Sequence, residues 1–236
     1  MRITCSFATL KDISDLSTGE TFIQILSKND LIIDKAGAYE PVNKPFNAKE
    51  FPIIWQGYSI NDNHTTGCFI FKGQVKKKFA GMVSWDKGLP ENSIVTNSIY
   101  VTVSGIGKND YDSIILLGDE LFSWAKAEYG YITEYSREIM NFDTGNIFTC
   151  IDGLHWVNYF SKTYLNEPCF HATNDMYQLE TGVRLKITDK PDDIRLSDSN
   201  FLNSIKQAIG IEWFWDKSKN TVLKRPKFDS SEIVKK

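Results

Sequence analysis

The stretch Gly153-Leu154-His155-Trp156-Val157-Asn158-Tyr159-Phe160 constrains the fold of this chain more than any other. It reads as a β-strand with large side chains on both faces. Counting by twos puts Leu154, Trp156 and Asn158 on one face and His155, Val157 and Tyr159 on the other. Neither face is cleanly polar, so both are expected to be covered, at least in part. A strand covered on both sides belongs to a packed sheet, not to a cleft filled with catalytic groups.

Aromatic residues make up 13% of the chain, which suits a sheet-heavy core or an interface with aromatic anchors; the core is the default. The 236 residues carry a net charge of -3, without the basic footprint of a nucleic-acid binder. The one basic cluster in the folded part, Lys76-Lys77-Lys78, lies between two strand-like runs and reads as a solvated hairpin end. Cys5, Cys68, Cys150 and Cys169 are widely spaced, with no CxxC. The first residues carry no charged segment followed by an apolar one, and no run approaches the ~18 apolar residues of a membrane span. A cytoplasmic protein with reduced thiols and no membrane partner is the expectation.

Three β-rich runs follow one another with short connections, Cys68–Lys72, Phe79–Trp85 and Ser93–Ser104, and predict an antiparallel meander. A helix is predicted from Tyr111 to about Glu128, capped by Asp110 and stopped by Gly130. Its buried stripe is Ile114, Leu117, Leu121, Phe122 and Ala125. Shorter helices are expected near Glu20–Leu26, Ala48–Gln56 and Asn200–Ile209. Tyr39–Phe46, with Pro41 and Pro45, reads as an irregular connection. Met176–Glu180 and Val183–Thr188 read as a hairpin turning at Thr181-Gly182, and Ile211–Trp215 as a last strand. The fold class is α+β: a large, mainly antiparallel sheet with helices packed mostly on one face, forming a single domain over residues 1–215. Residues 216–236 are polar and expected to be a loose tail. Trp85, Trp156 and Trp213 are expected in the core.

No catalytic motif is complete. Gly105-Ile106-Gly107-Lys108 lies between a strand and a helix, but Thr102 and Asn109 stand where a P-loop needs Gly and Ser or Thr. Cys150, His155, Cys169 and His171 are the right residue types for zinc at the wrong spacing, C-x4-H-x13-C-x-H. Asp192-Asp193 reads as a surface turn rather than a cation site. Asp119 and Glu120 fall on a helix face that the period leaves exposed. No catalytic residue, metal ligand or cofactor is therefore assigned.

Three segments taken together carry a resemblance. They are Gly37-Ala38-Tyr39-Glu40-Pro41-Val42-Asn43-Lys44-Pro45-Phe46, then Phe71-Lys72-Gly73 with Lys78-Phe79-Ala80-Gly81-Met82-Val83-Ser84-Trp85, then Gly153–Phe160. In order and spacing the chain, from about Phe22 to Trp215, is similar to the immunity protein 52 family of bacterial polymorphic-toxin systems. The resemblance implies a protein that binds a cognate toxin domain and blocks it by stoichiometric occlusion, with no active-site residues of its own. The carboxylates Asp119, Glu120 and Asp143 would then be the residues to examine for partner contact, since interfaces over basic active sites commonly present acids. The competing expectations are a small cytoplasmic enzyme, using His155 and Cys169 or an acidic pair in a pocket, and a phage or mobile-element scaffold protein.

Overall fold

Alternating apolar residues in Arg2–Thr9 make β1, and its inward row Ile3, Cys5 and Phe7 is fully buried. The computed structural model describes residues 1–90, 96–135, 151, 153–216, 218–219 and 221–234. After β1 come α1 (Leu16–Lys28), β2 (Lys35–Gly37), α2 (Phe51–Trp55), β3 (Tyr58–Asn61), β4 (His64–Gly73), β5 (Phe79–Lys87), β6 (Asn97–Ser104), α3 (Tyr111–Ala125), β7 (Tyr129–Glu134), β8 (Val157–Ser161), α4 (Lys162–Leu165), β9 (Met176–Gln178), β10 (Gly182–Lys186) and α5 (Ser199–Ile209).

The strands form one 10-stranded sheet in the order β2-β4-β5-β6-β1-β7-β8-β10-β9, with β3 also on β4. All pairings between these strands are antiparallel. The meander β4-β5-β6 is as the sequence predicts; Ser93–Val95, given to its last strand, lie outside the described residues. β1 inserts between β6 and β7 and so ties the two halves of the sheet together.

One face carries α1, α2 and α3. The α3 stripe Ile114, Leu117, Leu121, Phe122 and Ala125 is buried there, against Phe7, Ile132, Val157 and Tyr159 from the strands. α3 ends at Ala125 with Lys126 in the left-handed region (φ 46°), not at Gly130. Gly130 lies within β7, where a Cβ would collide with the Phe7 ring. Asp110 does not cap α3 with its side chain. Its carboxylate turns back to accept the Gly107 N–H at 3.0 Å.

The described residues cover the opposite face over half its width. A second core packs on β7, β8 and β10: Tyr129, Phe160, Val183 and Leu185 meet Tyr164 of α4, Phe170, Ile209 of α5 and Trp213. The chain bends before β8, and this corrects the simple alternation. Leu154 joins the second core, whereas Trp156, Val157 and Tyr159 all join the first. Asn158 makes the bend by closing a ring with His155: its Oδ1 accepts from His155 N and its Nδ2 donates to His155 O, both at 2.9 Å. Trp85, Trp156 and Trp213 are buried.

Two further corrections concern the C-terminal part. Ile211–Trp213 is a 3-10 turn, not a strand, because Gly210 (φ 126°) redirects the chain and the Trp213 indole donates to Cys169 O at 3.0 Å. Of the segment expected to be a loose tail, the described residues around Ile233 are docked. Ile233 is buried with Leu10 and Leu89, the Leu89 N–H donates to Ile233 O at 2.9 Å, and Glu232 holds both Lys11 Nζ (2.9 Å) and the Asp12 N–H (3.1 Å).

Candidate functional site

Most residues that the sequence offered for chemistry are committed to structure. The Gly107 amide in the glycine loop is taken by Asp110. Lys76 and Lys77 pair with Asp30 and Asp110, so the hairpin end is only partly solvated. The Asp193 carboxylate accepts from the Arg195 side chain and backbone at 3.0 Å, and these bonds lower its pKa to about 2. The His155 ring stacks on Tyr131, centroids 3.9 Å apart. Cys169 packs against the second core, whereas the His171 side chain is exposed, its backbone N–H donating to Ile209 O at 2.8 Å. Among the described residues no group of three His, Cys, Asp or Glu side chains is placed to hold a metal ion; Cys150 and Asp143 lie outside them.

Asp119 and Glu120 are not free surface acids. Their side chains are only 16% and 19% exposed, because α3 is flanked by β10 and by the end of α1. Asp119 pairs with Arg184; Glu120 pairs with Lys28 and accepts from Asn29 Nδ2 at 2.8 Å. Burial raises the pKa of Asp119, and Arg184 and the Tyr159 hydroxyl only partly offset it. This pair floors a cleft of about 780 Å³ between α3 and α5, with exposed Leu116, Asp112, Asp175 and Tyr177 around it.

A second opening lies on the half of the sheet that the described residues leave uncovered. Register sets its rows. One row runs Lys35, Lys72, Ala80, Thr102, Thr4; the next runs Ile70, Met82, Tyr100, Ser6. Met82 is 36% exposed although it lies mid-strand in the sheet interior. A groove of about 460 Å³ crosses these strands. One wall is the loop of Glu40, Pro41 and Val42, anchored by buried Val42; the other is Tyr135, with the Arg2 guanidinium 3.7 Å over its ring. A second hollow of about 450 Å³ adjoins it and is lined by Arg2, Lys35, Lys72 and Lys78. Among the described residues none of these four cations is ion-paired. The acids among the described lining residues are Glu40 on the far wall and Asp34, which already accepts the Gln74 N–H at 2.7 Å. Sequence reasoning missed this site, since its cations come from four separate strands and turns.

No family model and no curated protein matches the chain. Among solved structures it is similar to the T6SS protein PA0821 of Pseudomonas aeruginosa, with a TM-score of 0.53 and 13% identity over 89% of this chain and 76% of the other. At that identity the likeness is one of fold. Two of the sequence segments quoted above line the groove: Gly37–Phe46 supplies the Pro41 wall, and the β4–β5 segments supply Lys72, Ala80 and Met82. No helix among the described residues is long and apolar enough to cross a membrane.

Proposed function

We propose that this protein is an immunity protein of a secretion-linked toxin system. In the cytoplasm it binds a cognate toxin domain and neutralises it by stoichiometric occlusion, with no turnover of its own. The observation that carries this reading is the likeness of fold, over 89% of the chain, to a protein named for the T6SS. The resemblance to immunity protein 52 points to the same class. A sheet face that the described residues leave uncovered, bordered by cations that none of them pairs, suits a binding role, because a partner gains area there without prying apart a core.

The test is co-expression of the toxin encoded beside this gene, with and without this protein, in a sensitive bacterium, followed by co-purification. Rescue with a stable one-to-one complex is the expected result. Rescue by trace amounts, with the toxin or its product chemically altered, would mean that the protein acts as an enzyme. No rescue and no complex would refute the immunity reading.

A further inference from the structure

The chain is acidic in total, with a net charge of -3, yet a stretch of its sheet that the described residues leave uncovered is bordered by Arg2, Lys35, Lys72 and Lys78 against Glu40 and Asp34. We propose that this face is the docking surface, and that its occupant is an acidic segment of the toxin domain with an apolar or aromatic side chain seated on Met82 and Tyr100. This inference rests on the immunity reading above and names the surface and the partner chemistry.

Three observations support it. First, cations that no described residue pairs, beside an apolar strip, form an interface of complementary design: the strip supplies buried area and the rim selects carboxylates and speeds encounter. Second, β5, β6 and β1 are interior strands with both backbone edges already paired, so the partner is read by side chains and not by strand addition. Third, the groove has walls. The Pro41 loop and the Arg2–Tyr135 pair bound it, which suits a protruding segment better than a flat surface. A second copy of this chain fits poorly, since an isologous contact would set the same cations against one another. A nucleic acid fits poorly too, because the cations bunch at one corner and the net charge repels a polyanion at long range.

The experiment measures affinity between the purified chain and the toxin domain encoded beside it by biolayer interferometry, at low and high salt. The variants are Lys72→Glu with Lys78→Glu, Met82→Asp alone, and Glu120→Gln as a control at an acid already held by Lys28. The double reversal is expected to weaken binding roughly 10- to 100-fold, mainly through slower association, and to flatten the salt dependence. Met82→Asp is expected to weaken it by about 30-fold or more, mainly through faster dissociation. Glu120→Gln should bind as the wild type does, and all variants should keep the wild-type melting temperature. Failure of the wild type to bind the toxin domain would defeat the immunity reading and this inference with it. Wild-type binding that survives both face variants, or that Glu120→Gln weakens more than they do, overturns this inference alone. So does a wild-type dimer that Met82→Asp dissociates, or binding of a thymidine oligonucleotide that the double reversal abolishes while toxin binding persists.

Discussion

Trp156→Ala tests the packing at the point where the simple strand pattern fails. The side chain is 0% exposed, its indole N–H donates to Thr188 O at 2.9 Å, and its ring meets Tyr111 edge-on with centroids 5.3 Å apart. Removing a buried Trp side chain costs about 3–5 kcal/mol. The Thr188 carbonyl loses its donor as well, which adds roughly 1–3 kcal/mol unless water reaches it. For a chain of this size each kcal/mol moves the melting temperature by about 2–4 °C. A fall on the order of 10–20 °C is therefore expected in a thermal scan by near-UV circular dichroism. Trp156→Phe keeps a ring against Tyr111 and loses the hydrogen bond, so its fall should be clearly smaller. If Trp156→Ala melts within ~2 °C of the wild type, Trp156 is not in the first core and the bend before β8 is wrong. If Trp156→Phe is as damaging as Trp156→Ala, the hydrogen bond dominates and the burial argument fails.

Gly118→Ala sets helix propensity against space. A Cβ there would lie 2.5 Å from Tyr159 Oη and 2.7 Å from Ile132 Cδ1. The overpacking cost of about 1–3 kcal/mol should outweigh the ~1 kcal/mol that Ala gains in a helix, so the urea midpoint should fall; a rise would refute the close approach of α3 to the sheet. Docking of the C-terminal segment should depend on pH. Burial acts to raise the pKa of Glu232, but the hydrogen bonds from Lys11 and the Asp12 amide outweigh it and hold the value below the usual 4.5. A lowered folded-state pKa means that the ionised acid stabilises the docked form above 4.5, and that this is lost as pH falls through the lowered value. The Leu89 amide resonance, bonded to Ile233 O, should shift in that acid range, and Glu232→Gln should produce the same shift at neutral pH. A Leu89 resonance indifferent to both would separate the salt bridge from docking.

Much of the architecture was legible because it is written in local periodicity. The α3 stripe, the β4–β5–β6 meander and α5 follow from spacing alone, and each buried residue of the stripe is where a 3.6-residue period puts it. What escaped depends on partners distant in sequence. The bend at Trp156 needs Asn158 to reach back to His155, and Asn in a strand-like run gives no sign of that. The docked tail uses Val222, Phe228 and Ile233, isolated apolar residues in polar surroundings with no period to reveal them. Asp119 and Glu120 read as solvated because their own helix leaves them outward; Arg184 and Lys28, 65 and 92 residues away, cover them. The groove was the least legible of all. Its rim joins Arg2 of β1, Lys35 of β2, Lys72 of β4 and Lys78 of the turn before β5; the β2–β4–β5 pairings gather the three lysines and the insertion of β1 beside β6 adds Arg2.

The abundance of aromatic residues had two explanations, a core or an interface, and the structure decides most of it. Trp55, Trp85, Trp156 and Trp213 are buried, and Trp124 and Trp215 are half-buried. Phe7, Phe22, Phe69, Phe71 and Phe122 fill the first core; Tyr129, Phe160, Tyr164 and Phe170 fill the second. One sheet packed on both faces along β7, β8 and β10 needs two sets of large side chains, and that demand accounts for the composition. The groove, by contrast, is lined among the described residues by Tyr100, Tyr135 and the edge of buried Phe71, with Met82 and Ile70 beside them. Aromatic count is therefore no argument for binding in this chain. The argument for binding lies in what the second core leaves bare among the described residues: β4, β5, β6 and the Arg2 end of β1, interior to the sheet, with Arg2, Lys35, Lys72 and Lys78 at their border and not ion-paired by any described residue.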